Sequence, residues 1–176
     1  MIKRNLRFVA LLSVIITLTS SCAHRKLVRK ERYMESTYNE FKQKLNEADV
    51  TIIGDSVKIL FPKNVMFDFD KATVVTDFFP VLTKLADVLE NHKKTGLLIN
   101  GHTDSFGNDE HNLDLSRRRA DSTKAVLIYD GIGSTRLYSW GFGAKMPIAT
   151  NVTPEGRQLN RRVEFIVLYN YRHKGD

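Results

Sequence analysis

An α/β sandwich, a mixed β-sheet with two main helices packed on one of its faces in the order β-α-β-α-β-β, is the architecture this sequence predicts. Three observations lead there. Two segments repeat apolar residues at helical spacing, short β-prone runs stand before, between and after them, and glycines sit where these runs must turn. With 176 residues and 42% hydrophobic content, the chain has room for one ordinary domain with a core, which excludes global disorder.

The N-terminus places Lys3, Arg4 and Arg7 ahead of an apolar run from Phe8 to Leu18. A basic start followed by a short apolar run is a secretory signal pattern. About a dozen apolar residues fall short of the ~20 that cross a bilayer as a helix. Residues 1–21 are therefore expected to be a signal peptide, and removing its three cations takes the net charge from +7 to +4. The only cysteine, Cys22, follows directly in Leu18-Thr19-Ser20-Ser21-Cys22, so an intrachain disulfide is excluded. The position resembles a bacterial lipobox, in which small residues precede a cysteine that becomes lipid-modified and N-terminal. Ser20 and Ser21 fit that pattern, whereas Thr19 stands where an aliphatic residue is usual. Acyl chains on Cys22, at ~0.8 kcal/mol per buried CH₂, would hold the protein to a lipid bilayer.

Residues 22–49 read as the lipidated cysteine, a basic tether and an amphipathic helix. His24-Arg25-Lys26-Leu27-Val28-Arg29-Lys30 is a solvated run beside a membrane; binding nucleic acid would conflict with export. Met34, Tyr38, Phe41, Leu45 and Ala48 form a stripe that predicts a helix from about Lys30 to Ala48. That helix either packs on the domain or serves as a semi-rigid spacer.

The main domain is expected over residues 50–170, with a polar tail at 171–176. Val50–Ile53 and Ser56–Phe61 flank Gly54-Asp55, a hairpin signal because glycine admits the positive φ of a tight turn. Val65 to Asp70 reads as a short extended piece. Phe78, Leu82, Leu85, Ala86 and Leu89 predict a helix with one buried face, capped by Asp77 and with Pro80 in its first turn. Leu97 to Asn100 is a buried strand entering a loop, Gly101 to Gly107. A second helix should run from Asn112, which also caps it, to about Asp130, ended by Gly131. Leu137 to Trp140 is a short strand, Glu155 to Leu159 a helical turn, and Arg162 to Tyr169 an inner strand.

Asp104 lies where a strand gives way to a loop, the usual place for presenting functional groups. Asn112, Leu115, Ser116 and Arg119 fall on one stripe of the following helix. If that stripe flanks the loop, a carboxylate and a guanidinium face one pocket, the two charges needed to hold an amino-acid zwitterion; the residues alone fit equally an internal Asp104–Arg119 salt bridge with a purely structural role. Asp70, Thr103 and Leu115 would contribute to the rim. Of Arg161 and Arg162, strand alternation lets only one face that pocket; Arg161 is assigned to it, and Arg162 to a surface carboxylate.

The string Gly101-His102-Thr103-Asp104-Ser105-Phe106-Gly107, then Asn112, Leu115-Ser116, Arg119-Ala120, Glu155-Gly156-Arg157 and Asn160-Arg161-Arg162-Val163-Glu164-Phe165, resembles the OmpA-like domain family, of the OmpA C-terminal and peptidoglycan-associated lipoprotein type. The resemblance runs from about Val57 to Leu168. It implies the same α/β sandwich and a bacterial lipoprotein whose partner is peptidoglycan. The ligand it implies is the diaminopimelate of the stem peptide. Asp104 would take its ammonium, Arg119 would grip its carboxylate through two parallel hydrogen bonds, and Asn112 would touch it. It also implies a lipid-anchored protein of the outer membrane with its domain facing the periplasm. A second reading makes docking to other envelope proteins the main role.

Enzymatic chemistry finds no support in these residues. His102, Asp104 and Ser105 do not form a hydrogen-bonded triad pattern. His92, His102 and His111 lack metal-ligand spacing and read as isolated histidines. No phosphate-cradling glycine loop is present, and no cofactor is implied.

Overall fold

The structure, a computed structural model, describes residues 24–61 and 66–171. The signal segment, Cys22, Val65 and all of the polar tail beyond Tyr171 lie outside the described residues. The elements in chain order are α1 (residues 24–44), β1 (Asp49–Ile53), β2 (Ser56–Leu60), α2 (Phe79–Asn91), β3 (Thr95–Gly101), α3 (Asp109–Tyr129), β4 (Leu137–Gly141), α4 (Pro154–Asn160) and β5 (Val163–Tyr169). From β2 onward this is the predicted alternation, with α4 a short insertion and β1 an added edge strand.

The five strands form one mixed sheet ordered β1-β2-β5-β3-β4. Only β3 and β4 run parallel, joined through α3; the other pairs are antiparallel. β5 enters last and fills the centre, as its β-branched and aromatic content suggests. Registered neighbours Val57, Val167 and Leu97 are all fully buried, and so are Ile59, Phe165 and Ile99 in the adjacent row. This face packs on Leu82, Leu85 and Leu89 of α2 and Leu127 of α3. Leu98 and Ile166, on the opposite face, are only half-buried. That face also carries a polar cluster, because β5 is not apolar on both sides. Glu164 accepts from Arg162 Nη2 at 2.8 Å and Lys58 Nζ at 3.0 Å. Arg162 therefore meets a buried carboxylate rather than the expected surface one.

Element boundaries differ from expectation where local signals competed. α1 ends at residue 44 rather than Ala48 and already includes the basic run from residue 24. It packs on the domain: Phe41 and Leu45 are fully buried in the common core. His92 at the end of α2 fastens it, contacting Thr37 Oγ1 at 3.0 Å and Glu40 Oε2 at 2.8 Å. His92 is thus paired rather than isolated. Asp77 does not cap α2. It lies inside a 3₁₀ turn, Thr76–Phe78, that leads straight into the helix with Phe78 at the N-cap position. Pro80 fits because the first-turn N–H groups have no helical partner anyway. α3 starts three residues earlier than predicted. Asn108, not Asn112, is its cap, its side chain accepting from His111 N at 2.7 Å. In the stretch expected to be extended, the only strand-like contact among the described residues is a bridge from Phe67 to Val74.

Two glycines set where α3 lies. A Cβ at Gly101 would stand 2.0 Å from the Ser116 carbonyl oxygen, and one at Gly141 2.5 Å from the Arg117 nitrogen. The helix therefore presses against the ends of β3 and β4, which brings its Asn112–Arg119 stripe beside the loop that follows β3.

Candidate functional site

The loop after β3 is locked before any ligand is considered. His102 N donates to Arg162 O at 2.9 Å and Thr103 N to Gly143 O at 3.0 Å. Gly143, with φ of +54°, donates in turn to Ser116 Oγ at 2.9 Å. Asn112 Nδ2 holds the Phe106 carbonyl at 2.9 Å. Backbone and side-chain donors from three elements thus fix the direction in which Asp104 points.

A cleft of about 530 Å³ opens there. All seven residues nominated from sequence line it: Asp70, Thr103, Asp104, Asn112, Leu115, Arg119 and Arg161. Phe69, Phe106, Gly107, His111 and Arg157 complete the wall. Sequence reasoning nominates none of these five for the cleft: it reads His111 as an isolated histidine and Arg157 as part of a basic group near the last strand. The signals were present in Phe69 beside Asp70 and in Phe106 within a glycine-bounded loop. Both rings are more than three-quarters exposed, at 79% and 77%, which is unusual enough for phenylalanine to mark a cleft mouth.

Arg119, 2% exposed, is the best-buried cation in the cleft wall. Its Nε donates to Lys71 O at 2.9 Å and its Nη2 more weakly to Asp68 O at 3.4 Å, while its guanidinium lies 5.2 Å over the Phe67 ring. These bonds hold the turn that carries Phe69 and Asp70, the latter at φ +54°, a left-handed conformation that aspartate tolerates better than most residues. Among the described residues Nη1 has no partner, and no carboxylate lies within ion-pair distance of Arg119. Burial pushes its pKa below the ordinary value; the charges of Asp70 and Asp104 oppose that shift and Arg161 adds to it. An arginine so placed keeps its charge.

Asp104 is mostly buried. Its Oδ1 accepts from Phe106 N at 2.9 Å and its Oδ2 from Arg161 Nη1 at 2.6 Å. The internal ion pair is therefore Asp104–Arg161, and no Asp104–Arg119 bridge forms among the described residues. Asp70 Oδ1 meets His111 Nε2 at 2.8 Å, so His111 is also not isolated. Thr103 Oγ1 is buried with no hydrogen-bond partner among the described residues, a costly state unless something in the cleft supplies one.

α4 delivers the remaining cations. Thr153 caps it by accepting from Gly156 N at 3.1 Å. Asn160, fully buried at its end, accepts from Ile148 N at 2.8 Å and Ala149 N at 3.0 Å, and donates to Asn151 Oδ1 at 2.8 Å. That clamp fixes the segment between Arg157 and Arg161. Among the described residues, no group of histidine, cysteine or acidic side chains is arranged to hold a metal ion. No described helix is long and apolar enough to cross a membrane. The wall as a whole offers fixed guanidiniums, two carboxylates, an orphaned hydroxyl and two exposed rings. Such a surface can grip a small zwitterionic or anionic group through charge-assisted bonds and cover its apolar portion.

Comparison with known proteins identifies the family. Residues 66–161 match the OmpA family. Outer membrane porin F of Pseudomonas fluorescens is 44% identical over 101 residues, covering 57% of this chain and 31% of the porin. The probable lipoprotein YiaD of Escherichia coli (strain K12) is 37% identical over 134 residues, covering 75% of this chain and 61% of that protein. This chain thus spans about a third of the one relative and three-fifths of the other. The crystal structure of the peptidoglycan-associated lipoprotein from Burkholderia pseudomallei superposes with a TM-score of 0.56 at 30% identity, covering 60% of this chain and 89% of that one.

Proposed function

This chain belongs to the OmpA family, and from that premise we propose that it is a lipid-anchored binding protein, not an enzyme, that holds peptidoglycan non-covalently. Its ligand is the free end of the stem-peptide diaminopimelate, and its acylated Cys22 tethers the outer membrane to the cell wall. One observation carries the reading: a buried guanidinium with an uncommitted Nη1 and a fixed carboxylate line the same cleft. An amino-acid end carries an ammonium and a carboxylate and complements that pair. Arg119 receives the carboxylate on its Nη1 and Nη2 edge, since Nε is occupied by the Lys71 carbonyl. Asp104 receives the ammonium while sharing its Oδ2 with Arg161. Thr103 supplies or accepts one further hydrogen bond, and Asn112 acts mainly by holding the Phe106 loop.

The test is sedimentation of the purified full chain, in detergent, with insoluble peptidoglycan. Asp104→Ala or Arg119→Ala strands a charged ligand group, and each is expected to weaken binding by about 2–5 kcal/mol. Arg118→Ala removes a solvated side chain that pairs with Asp114 on its own helix and is expected to bind as wild type. Circular dichroism checks that each variant is folded. Folded Asp104→Ala and Arg119→Ala that sediment as well as wild type would overturn the assignment.

A further inference from the structure

The charges in the cleft do not balance against a single zwitterion. Asp104 is ion-paired with Arg161, and Asp70 is hydrogen-bonded to His111. Three guanidiniums thus stand against two carboxylates, and two of the three have no ion pair of their own among the described residues. Among the described residues Arg119 donates only to the carbonyls of Lys71 and Asp68. Arg157 donates, among the described residues, only to the carbonyls of Asn151 at 3.0 Å and Val152 at 2.8 Å. Among the described residues neither has a carboxylate within 4 Å, although both line the same cleft. A carbonyl satisfies a donor but does not neutralise a charge, and two like charges facing one confined space raise its affinity for anions. Neither cation drifts on a flexible arm. Arg119 is held by the Asp68–Lys71 turn, and Arg157 by the two carbonyls beside the Asn160 clamp.

We infer that the cleft is built for a ligand bearing two carboxylates, with Arg157 receiving the second. This rests on the wall-binding reading and narrows it: the preferred ligand is a stem peptide that keeps a second free carboxylate close to the diaminopimelate end. That carboxylate has two sources, the α-carboxylate of the γ-linked glutamate before diaminopimelate, or the C-terminal carboxylate of the peptide. Either arrives with its charge-assisted bonds unmet, and amidation of the one that Arg157 reads turns an anion into a neutral amide.

The experiment titrates the full chain, in detergent, with three soluble muramyl tetrapeptides: one with all carboxylates free, one amidated at the glutamate α-carboxylate, and one amidated at the C-terminus. Wild type is expected to bind one of the two amidated peptides about 10- to 100-fold more weakly than the free peptide, the range for one charge-assisted bond. The affected amide identifies the source. Arg157→Gln is expected to bind the free peptide that weakly and to show no further loss with the same amide. Arg157→Lys, which keeps the charge but not the fork, is expected to recover part of the discrimination. Equal wild-type binding of all three peptides overturns the inference. So does an Arg157→Gln variant that loses affinity for all three by the same factor, since that is the signature of a merely structural arginine. If wild type binds the peptides through Arg119 but ignores both amides, only this inference falls. If it binds none of them, the wall-binding reading falls first and takes this one with it.

Discussion

His102 is 3% exposed, stacks on the Phe142 ring with centroids 5.3 Å apart, and has no hydrogen-bond partner for either ring nitrogen among the described residues. Burial pushes its pKa down to about 4; the positive charges of Arg162 and Lys58 act in the same sense, and Glu164 opposes them. An unfolded histidine takes its proton near 6.5, so between that value and about 4 the unfolded chain binds more protons than the folded one. Stability is therefore complete above pH 6.5 and falls as the pH drops towards 4, by on the order of 2–3 kcal/mol from this residue. Glu164 acts in a lower window. Burial pushes it up, but bonds from Arg162 and Lys58 outweigh that, so its contribution is lost only as pH falls below the ordinary glutamate range. Denaturant midpoints at pH 7.5 and 4.5 test this: His102→Phe, which keeps the stack, is expected to lose markedly less stability between the two than wild type. An equal loss in both proteins would show that His102 is not the titrating group.

At the scale of elements, α1 is the segment whose role the sequence left open and packing decided. Met34 and Phe41 of its stripe, with Leu45 directly after its last turn, are buried in the same core as α2 and the sheet. Leu45→Ala is expected to destabilise the fold by about 2–5 kcal/mol, as for other buried leucines. Glu35→Ala, on the exposed side of the same helix, is expected to change little. Thermal or chemical melts decide; a Leu45→Ala chain as stable as wild type would mean that α1 is a detachable spacer. The stripe was legible because helical spacing is a local property. Its partner was not, because His92 meets Glu40 and Thr37 from 52 and 55 residues away. The start of α3 was misplaced for the opposite reason: Asn108 and Asn112 are both good local caps, and only the observed His111 N bond to Asn108 distinguishes them.

For the molecule as a whole, the proposed anchor has a geometric consequence. The basic run at residues 24–30 is helical and continuous with the segment that packs on the domain. A lipidated Cys22 would then hold the domain near the bilayer on a short stiff helix, not on an extended tether. Cys22→Ser is expected to leave an uncleaved precursor or to release the protein into the soluble periplasmic fraction. Mass spectrometry of the wild-type N-terminus is expected to find acyl mass on Cys22. Soluble wild-type protein without that mass would remove the anchoring part of the proposal.

What the sequence determined by itself was whatever depends on spacing along the chain: the helical faces, the hairpin at Gly54, the order of elements, and the stripe from Asn112 to Arg119 that flanks the loop. These follow from the periods of helix and strand, which are local. The tertiary structure decided who pairs with whom. Asp104 and Arg161 are 57 residues apart and meet only because β5 inserts beside β3. The sequence assigned both to one pocket but did not show that they would neutralise each other. Among the described residues the same insertion leaves Arg119 and Arg157 without ion-paired carboxylates, and it buries Glu164, Arg162 and His102 on the side of the sheet opposite α2 and α3. Charge pairing is a property of distance in space, and no periodicity along a chain encodes it.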